Sequence, residues 1–352
     1  MRRKSKELNI GGVLIGGGHP VAIQSMCNIP SYDVENTIKQ IDRLYDAGCQ
    51  ITRLAVPDEE GAINFAKIRK ASKLPIVADI HFDYRLAIMA AEGGADKIRI
   101  NPGNIGDINK VREVVAACKE RGLPIRIGVN GGSLEKPILE KYGVTPVGLV
   151  ESAMRHVDIL EKCNFTDICI SIKTSNVKNN IDAYRMMAEK CEYPLHLGVT
   201  EAGTEYMGTI KSAVALGSLL CDGIGDTIRV SLTDDPVKEI YAAKAILKSI
   251  GMTDSGVNIV SCPTCGRTRV GLIDLAKEVE QKLSNVKAKL NVAVMGCVVN
   301  GPGEAREADV GVACGKGEGL IFAKGEIIKK VPEDQIVPEL IKYIEDLTGE
   351  KI

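Results

Sequence analysis

The chain reads as an α/β protein in which a TIM-type (β/α)8 barrel is followed by a small α+β domain. Three observations on the 352 residues predict this. Short β-rich runs alternate with amphipathic helical patterns from residue 21 to about 250, the signature of parallel βα units. Eight such units in roughly 250 residues match the size of a closed barrel. Beyond residue 256 the βα repeat stops and mixed α+β order begins, which marks a second domain.

The strands are predicted at 21–26, 51–56, 76–80, 97–101, 125–129, 168–173, 195–200 and 227–232. Amphipathic helices lie between them, with Val34, Ile38, Ile41 and Tyr45 on one face of the first and Ile108, Val111, Val115 and Cys118 on one face of a later one. Ala47-Gly48, Gly93-Gly94 and Gly122-Leu123-Pro124 close units as turns. A doubly wound open sheet is the competing architecture, and strand composition argues against it. Strands buried on both faces should be continuously apolar. Here Arg99 and Asn101 alternate with Ile98 and Ile100, Arg126 and Asn130 with Ile125, Ile127 and Val129, and Ser171 and Lys173 with Ile170 and Ile172. One face must therefore line a polar interior. Gly16-Gly17-Gly18 precedes the first strand and reads as a turn, and no dinucleotide fingerprint follows a strand. Gly203-Thr204-Glu205-Tyr206, at a strand-to-helix junction, is a candidate for anion contact through backbone N–H groups.

The linker signals fall at Gly251–Gly256, so the domains are expected at 1–253 and 254–352. The second reads as a strand at 257–261, a helix at 270–283, a strand at 290–296, short strands over 309–330 and a closing helix over 333–347.

Forty-five basic against 46 acidic residues argue against nucleic acid or an anionic membrane as partner. No run is long and apolar enough to span a membrane, and the N-terminus lacks a signal-peptide core, so a cytoplasmic location is expected. Of the eleven cysteines, Cys27, Cys49, Cys118, Cys163, Cys169, Cys191 and Cys221 stand singly in apolar contexts and read as inert small hydrophobes.

Barrel active sites sit at the C-terminal strand ends. Those positions here hold Gln24, Ser25, Arg53, Asp79, His81, Arg99, Asn101, Arg126, Asn130, Ser171, Lys173, His196, Thr200, Glu201, Arg229 and Ser231. Any single arginine could serve a salt bridge. As a set, Arg53, Arg99, Arg126, Lys173 and Arg229 face only Asp79 and Glu201 on the strand ends, and an anion should complete the balance. Guanidinium forks and a lysine suit a diphosphate. His81 and His196 are candidates for phosphate contact or proton transfer, with neutral barrel filling as the plainer reading; His156 and His19 read as structural or exposed.

Cys262-Pro263-Thr264-Cys265 is a C-x2-C pair at a strand end, and Cys297 follows in Met295-Gly296-Cys297-Val298-Val299-Asn300-Gly301-Pro302-Gly303-Glu304. A structural zinc knuckle would need a fourth ligand. No histidine follows His196, which leaves Cys314 in a strand-like run. A cluster held by three cysteines and one oxygen, with Glu304 as that oxygen, is the other reading; Glu304 could equally be a helix-start acid.

These motifs, with Gln24-Ser25-Met26, Arg53-Leu54-Ala55-Val56-Pro57, Ala78-Asp79-Ile80-His81, Arg99-Ile100-Asn101-Pro102-Gly103-Asn104, Gly128-Val129-Asn130 and Gly198-Val199-Thr200-Glu201-Ala202-Gly203, make the whole chain resemble the 4-hydroxy-3-methylbut-2-en-1-yl diphosphate synthase family in its bacterial two-domain form. The resemblance implies a sulfite-reductase-like iron–sulfur domain with one 4Fe-4S cluster on Cys262, Cys265, Cys297 and Glu304. It implies reductive opening of 2-C-methyl-D-erythritol 2,4-cyclodiphosphate with electrons from flavodoxin or ferredoxin. It places the diphosphate on Arg53, Arg99, Arg126, Asn130, Lys173, Arg229 and Ser231, with Glu201 near the reacting carbons and Asn300 near the cluster. His196 and Thr200 are expected to join the substrate contacts, and His81 the catalytic groups. The resemblance also implies a homodimer in which one chain's cluster domain caps the other's barrel. The alternative is a pterin-type transferase barrel carrying a zinc-knuckle domain.

Overall fold

A computed structural model describes residues 2–101, 104–253, 255–297 and 307–352. The chain divides into two compact units, Met1–Ile250 and Gly251–Ile352.

The first unit opens with a hairpin that the sequence reading did not anticipate, β1 (Leu8–Ile10) and β2 (Val13–Ile15). Ile10 pairs Val13, so Gly11-Gly12 is a two-residue turn, and both glycines have positive φ (56° and 97°). That is the backbone a tight hairpin turn requires and side-chain-bearing residues resist. Leu8, Ile10 and Ile15 pack on Ala22, Ile51, Val77 and Cys169, residues near the N-terminal ends of barrel strands. The hairpin thus plugs the barrel floor and leaves the opposite end for chemistry.

The barrel strands are β3 (Ala22–Met26), β4 (Ile51–Ala55), β5 (Ile76–Asp79), β6 (Lys97–Ile100), β7 (Ile125–Asn130), β8 (Ile168–Lys173), β9 (His196–Leu197) and β10 (Thr227–Ile228). All run parallel, in the order β8-β7-β6-β5-β4-β3-β10-β9. A bridge between Ile170 and Leu195 closes the ring. The expected (β/α)8 barrel is therefore present, although β9 and β10 are only two residues long where six were expected. Past those two residues the chain leaves the ladder and bends into the mouth loops.

Helices α1 (Val34–Asp46), α2 (Glu59–Ala71), α3 (Tyr84–Glu92), α4 (Ile108–Arg121), α5 (Lys136–Tyr142), α6 (Pro146–Lys162), α7 (Val177–Lys190), α8 (Glu205–Cys221) and α9 (Pro236–Ser249) complete this unit. Most start where a short polar side chain can take an otherwise orphaned backbone N–H. Asp33 accepts from Asn36, Asp58 from Gly61, Asp107 from Asn109 and Lys110, Thr145 from Gly148 and Asn176 from Asn179. Each such cap stabilises its helix by about 1 kcal/mol.

The second unit is a five-stranded sheet in the order β11 (Val257–Ser261), β12 (Leu290–Met295), β13 (Val310–Cys314), β14 (Glu318–Ala323), β15 (Glu326–Pro332). β11 to β13 are parallel and the last two antiparallel. Helix α10 (Leu272–Leu283) and the C-terminal helix Ile336–Thr348 share one core with the sheet, through Leu272, Val279, Val292, Val312, Leu340 and Ile344. Cys314 is fully buried in β13 and burial pushes its thiol up to about 12, the behaviour of a packed hydrophobe. Among the described residues no helix is long and apolar enough to cross a membrane.

Candidate active site

In the barrel mouth, alternation along the strands turns the polar set inward. Arg99 of β6 donates to Asp79 at the end of β5 (NH1 to Oδ1, 3.0 Å), and Arg53 of β4 approaches the other carboxylate oxygen (Nε to Oδ2, 3.5 Å). Arg53 also directs Nε and NH2 at the Met26 sulfur, at 3.1 and 2.7 Å. Arg126 donates to Ser171 Oγ, and its Nε and NH2 find no partner among the described residues. Lys173, at the end of β8, is 7% exposed.

Two glycines make room for these side chains. A Cβ on Gly128 would lie 2.5 Å from Arg99 Nε, and one on Gly198 would lie 2.8 Å from Lys173 Nζ and 2.9 Å from the Arg229 carbonyl. Glycine is the residue that leaves this volume to a cation.

Arg229 follows β10 and meets an acid that sequence reading missed. Its Nε and NH2 donate to Glu239 of α9, at 3.2 and 3.1 Å. Nothing in the local sequence separates Glu239 from an ordinary helix-surface acid, yet it is 2% exposed. Five cations thus share the mouth with two buried carboxylates.

The electrostatics record that imbalance. Burial pushes Lys173 well below its ordinary range, and Arg53, Arg126, Arg229 and Arg99 push it further. Burial lowers Arg53 likewise, with Asp79 opposing and the other guanidiniums adding to it; arginine nonetheless stays protonated. For Asp79, burial alone would raise the carboxyl, but Arg53 and Arg99 outweigh it and hold the group at about 2.

That shift carries a stability prediction. A carboxyl depressed from 3.8 to about 2 stabilises the folded state above its unfolded value, and the contribution disappears as pH falls through about 2. Asp79→Asn should cost about 3 kcal/mol near neutrality, because it strands two buried guanidiniums. The melting-temperature gap between variant and wild type should narrow between pH about 4 and about 2. A gap independent of pH in that window would show that Asp79 does not work through its charge.

Other expected site residues are placed less uniformly. Asn130 is half-buried at the end of β7, and Thr200 and Ser231 are half-buried three residues past the ends of β9 and β10. Glu201 is exposed and has φ 52°, a left-handed backbone that costs a non-glycine residue about 1–3 kcal/mol and clusters at functional sites. His81 is exposed beside Phe82. His196 lies in the enclosed barrel interior, with Nδ1 2.8 Å from Thr227 Oγ1 and no exposed surface. Burial and then Lys173 keep it neutral. His156 is buried against Glu135, 2.8 Å away, and anchors the loop after β7.

A cavity of about 950 Å³ lies away from the mouth, between residues 2–6 and α6 and α7. Arg3 is committed there to the Cys191 and Tyr193 carbonyls and Lys6 to Asp167, which ties the N-terminal residues down against the barrel's outer helices.

In the second unit, β11 and β12 are adjacent and parallel, which brings the chain segments after Ser261 and Met295 to one sheet end. The Gly296 N–H donates to Cys262 Sγ (3.2 Å), and Arg269 N donates to the Gly296 carbonyl (3.2 Å). The C-x2-C loop is thereby laced to the residue before Cys297. Cys262 is half-buried, Cys297 buried and Cys265 exposed, with its thiol lowered by hydrogen bonds from Arg267. An N–H donor on one sulfur and a lowered thiol on another suit thiolate ligands. Among the described residues no three His, Cys, Asp or Glu side chains stand together as a ready metal cage. Asn300 and Glu304 lie outside the described residues.

Residues 5–244 match the family model described as the GcpE TIM-barrel domain, and residues 258–346 match the GcpE protein C-terminal domain. The chain belongs to the GcpE family. Among its GcpE relatives, a Clostridium perfringens protein is 59% identical over 347 residues, 98% of this chain and 99% of the relative. One from Fusobacterium nucleatum is 56% identical over 353 residues, the full length of both. Both bear the name 4-hydroxy-3-methylbut-2-en-1-yl diphosphate synthase (flavodoxin). Solved structures share the fold at low identity. A sialic acid synthetase from Leptospira borgpetersenii aligns with TM-score 0.51 at 16% identity, covering 81% of this chain and all of that one. A dihydropteroate synthase from Stenotrophomonas maltophilia aligns with TM-score 0.52 at 13%, covering 71% of this chain and all of that one. That likeness is one of fold alone. The GcpE match runs through both units, so the pterin-type transferase reading is not favoured.

Proposed function

We propose that this chain converts 2-C-methyl-D-erythritol 2,4-cyclodiphosphate to 4-hydroxy-3-methylbut-2-enyl diphosphate by reductive ring opening and dehydroxylation. The observation that carries the reading is the full-length match to relatives named as that synthase. The cation excess of the barrel mouth supports it, because a diphosphate supplies the charge that Asp79 and Glu239 leave uncompensated.

Cys262, Cys265 and Cys297 would hold a 4Fe-4S cluster, with Glu304 as a harder and replaceable fourth ligand. The bound cluster would supply single-electron transfer and an iron open to exchange. The protein's own residues do the rest. Arg53, Arg99, Arg126, Lys173 and Arg229 bind the phosphates, and Asn130, Thr200, Ser231 and His196 complete the polar lining. In this reading Glu201 and His81 manage protons, and Asn300 orients substrate near the cluster. The balance is two electrons and two protons in and one water out: the ring carbon–oxygen bond breaks, the neighbouring hydroxyl leaves and the alkene forms. Flavodoxin or ferredoxin is the proposed donor, the working form a homodimer and the compartment the cytoplasm, where thiols stay reduced.

The test is anaerobic purification with iron, sulfide and zinc assays, followed by turnover of the cyclodiphosphate with reduced flavodoxin. About four iron and four sulfide per chain are expected. One zinc without sulfide would overturn the reading.

A further inference from the structure

We propose that Glu239 is a positioning residue that sets two phosphate-binding groups at once. Its carboxylate accepts four hydrogen bonds from three parts of the barrel. Oε2 takes the Ser25 hydroxyl of β3 at 2.8 Å and Arg229 Nε at 3.2 Å. Oε1 takes Arg229 NH2 and the backbone N–H of Leu232, both at 3.1 Å. Two of these hold the Arg229 guanidinium by its Nε–NH2 edge, which leaves NH1 to face Met26 Sδ at 3.6 Å and the other cations. The Leu232 contact pins the backbone one residue after Ser231, so the segment 229–232 is tied at both ends to one carboxylate. Planar bidentate pairing fixes a guanidinium in angle as well as distance.

The sign of the effect separates this role from simple charge. A carboxylate beside an anion site repels the anion, so Coulomb's law alone predicts that neutralising Glu239 tightens binding. Positioning predicts the reverse, because a misplaced fork loses the geometry that charge-assisted hydrogen bonds need. The Arg229 side chain and the following loop would be freed together by losing one carboxylate's hold, and the anion would have to restrain them.

The inference rests on the proposed diphosphate site, and the experiment separates the two. Binding of 2-C-methyl-D-erythritol 2,4-cyclodiphosphate to the anaerobic holoenzyme is measured by calorimetry for wild type, Glu239→Gln, Arg229→Ala and the double variant, with melting temperatures alongside. Glu239→Gln should weaken binding by about tenfold or more and raise KM more than it lowers kcat. In the Arg229→Ala background it should add less than about threefold, because neighbours acting through one group are not additive. Should Glu239→Gln fold poorly, Ser25→Ala serves instead; it loosens the same carboxylate without touching its charge and should weaken binding in the same direction. Tighter or unchanged binding in Glu239→Gln, with Arg229→Ala weakened, overturns the positioning role. An equal loss in both backgrounds overturns it as well. Wild-type affinity in Arg229→Ala instead removes the diphosphate site on which the inference stands.

Discussion

Cys297→Ser should strip the protein of its visible chromophore and of more than about nine-tenths of its iron, while the barrel melts as before. Two features of the molecule make the effect large and local. The three candidate cysteines lie on the two chain segments that leave one sheet end, where Gly296 already donates to Cys262, and losing one of three thiolates leaves too few soft ligands to hold a cluster. The barrel has its own floor plug, closed ladder and helix caps within the compact unit Met1–Ile250. Cys314→Ser is the matched control. Cys314 ends β13 fully buried, with its thiol pushed up to about 12 by that burial, and the variant should retain its iron. A zinc knuckle completed by Cys314 predicts the opposite, equal metal loss in both variants. Full iron and activity in Cys297→Ser would end the ligand assignment.

The barrel was legible in the sequence because eight parallel strands leave a repeated alternation, and because inward arginines on β6 and β7 break the apolar run that an open sheet would need. The cluster loop was legible because cysteine spacing is short-range. What escaped was set by tertiary contacts. The floor hairpin consists of three-residue strands, yet Leu8 and Ile10 before Gly11-Gly12, and Val13 and Ile15 after it, carry the pattern of a tight hairpin. Glu239 left no such trace. It sits in the first turns of α9, where acids are common for dipole reasons, and only the return of that helix against β3 turns it inward. His196, for which phosphate contact and barrel filling are both open in the sequence, stands on β9 fully buried beside Thr227.

Lys173→Met should make the ligand-free protein more stable and the enzyme far worse at binding its substrate. Lys173 has four cationic neighbours that push its ammonium well below the ordinary range, after burial itself. Each of the two buried carboxylates serves arginines, Asp79 with Arg53 and Arg99, and Glu239 with Arg229. The lysine charge is therefore a net cost to the folded state until an anion arrives. Methionine keeps the length and packing of the stem and removes only that charge, which isolates electrostatics from cavity formation. The expected gain is about 1 kcal/mol in the apo form, seen as a higher melting temperature. The expected loss is about 2–5 kcal/mol of diphosphate affinity, from a charge-assisted contact in a desolvated site. Arg229→Ala should lose affinity too, but with the opposite stability sign, since it abandons Glu239 as an unpaired buried carboxylate at a cost of about 3 kcal/mol. Melting curves and calorimetry on the two variants thus yield a crossed pattern that neither general destabilisation nor a vacant role for the mouth reproduces. If Lys173→Met lowers the melting temperature and binds the cyclodiphosphate normally, the lysine is a structural cation and the anion lies elsewhere.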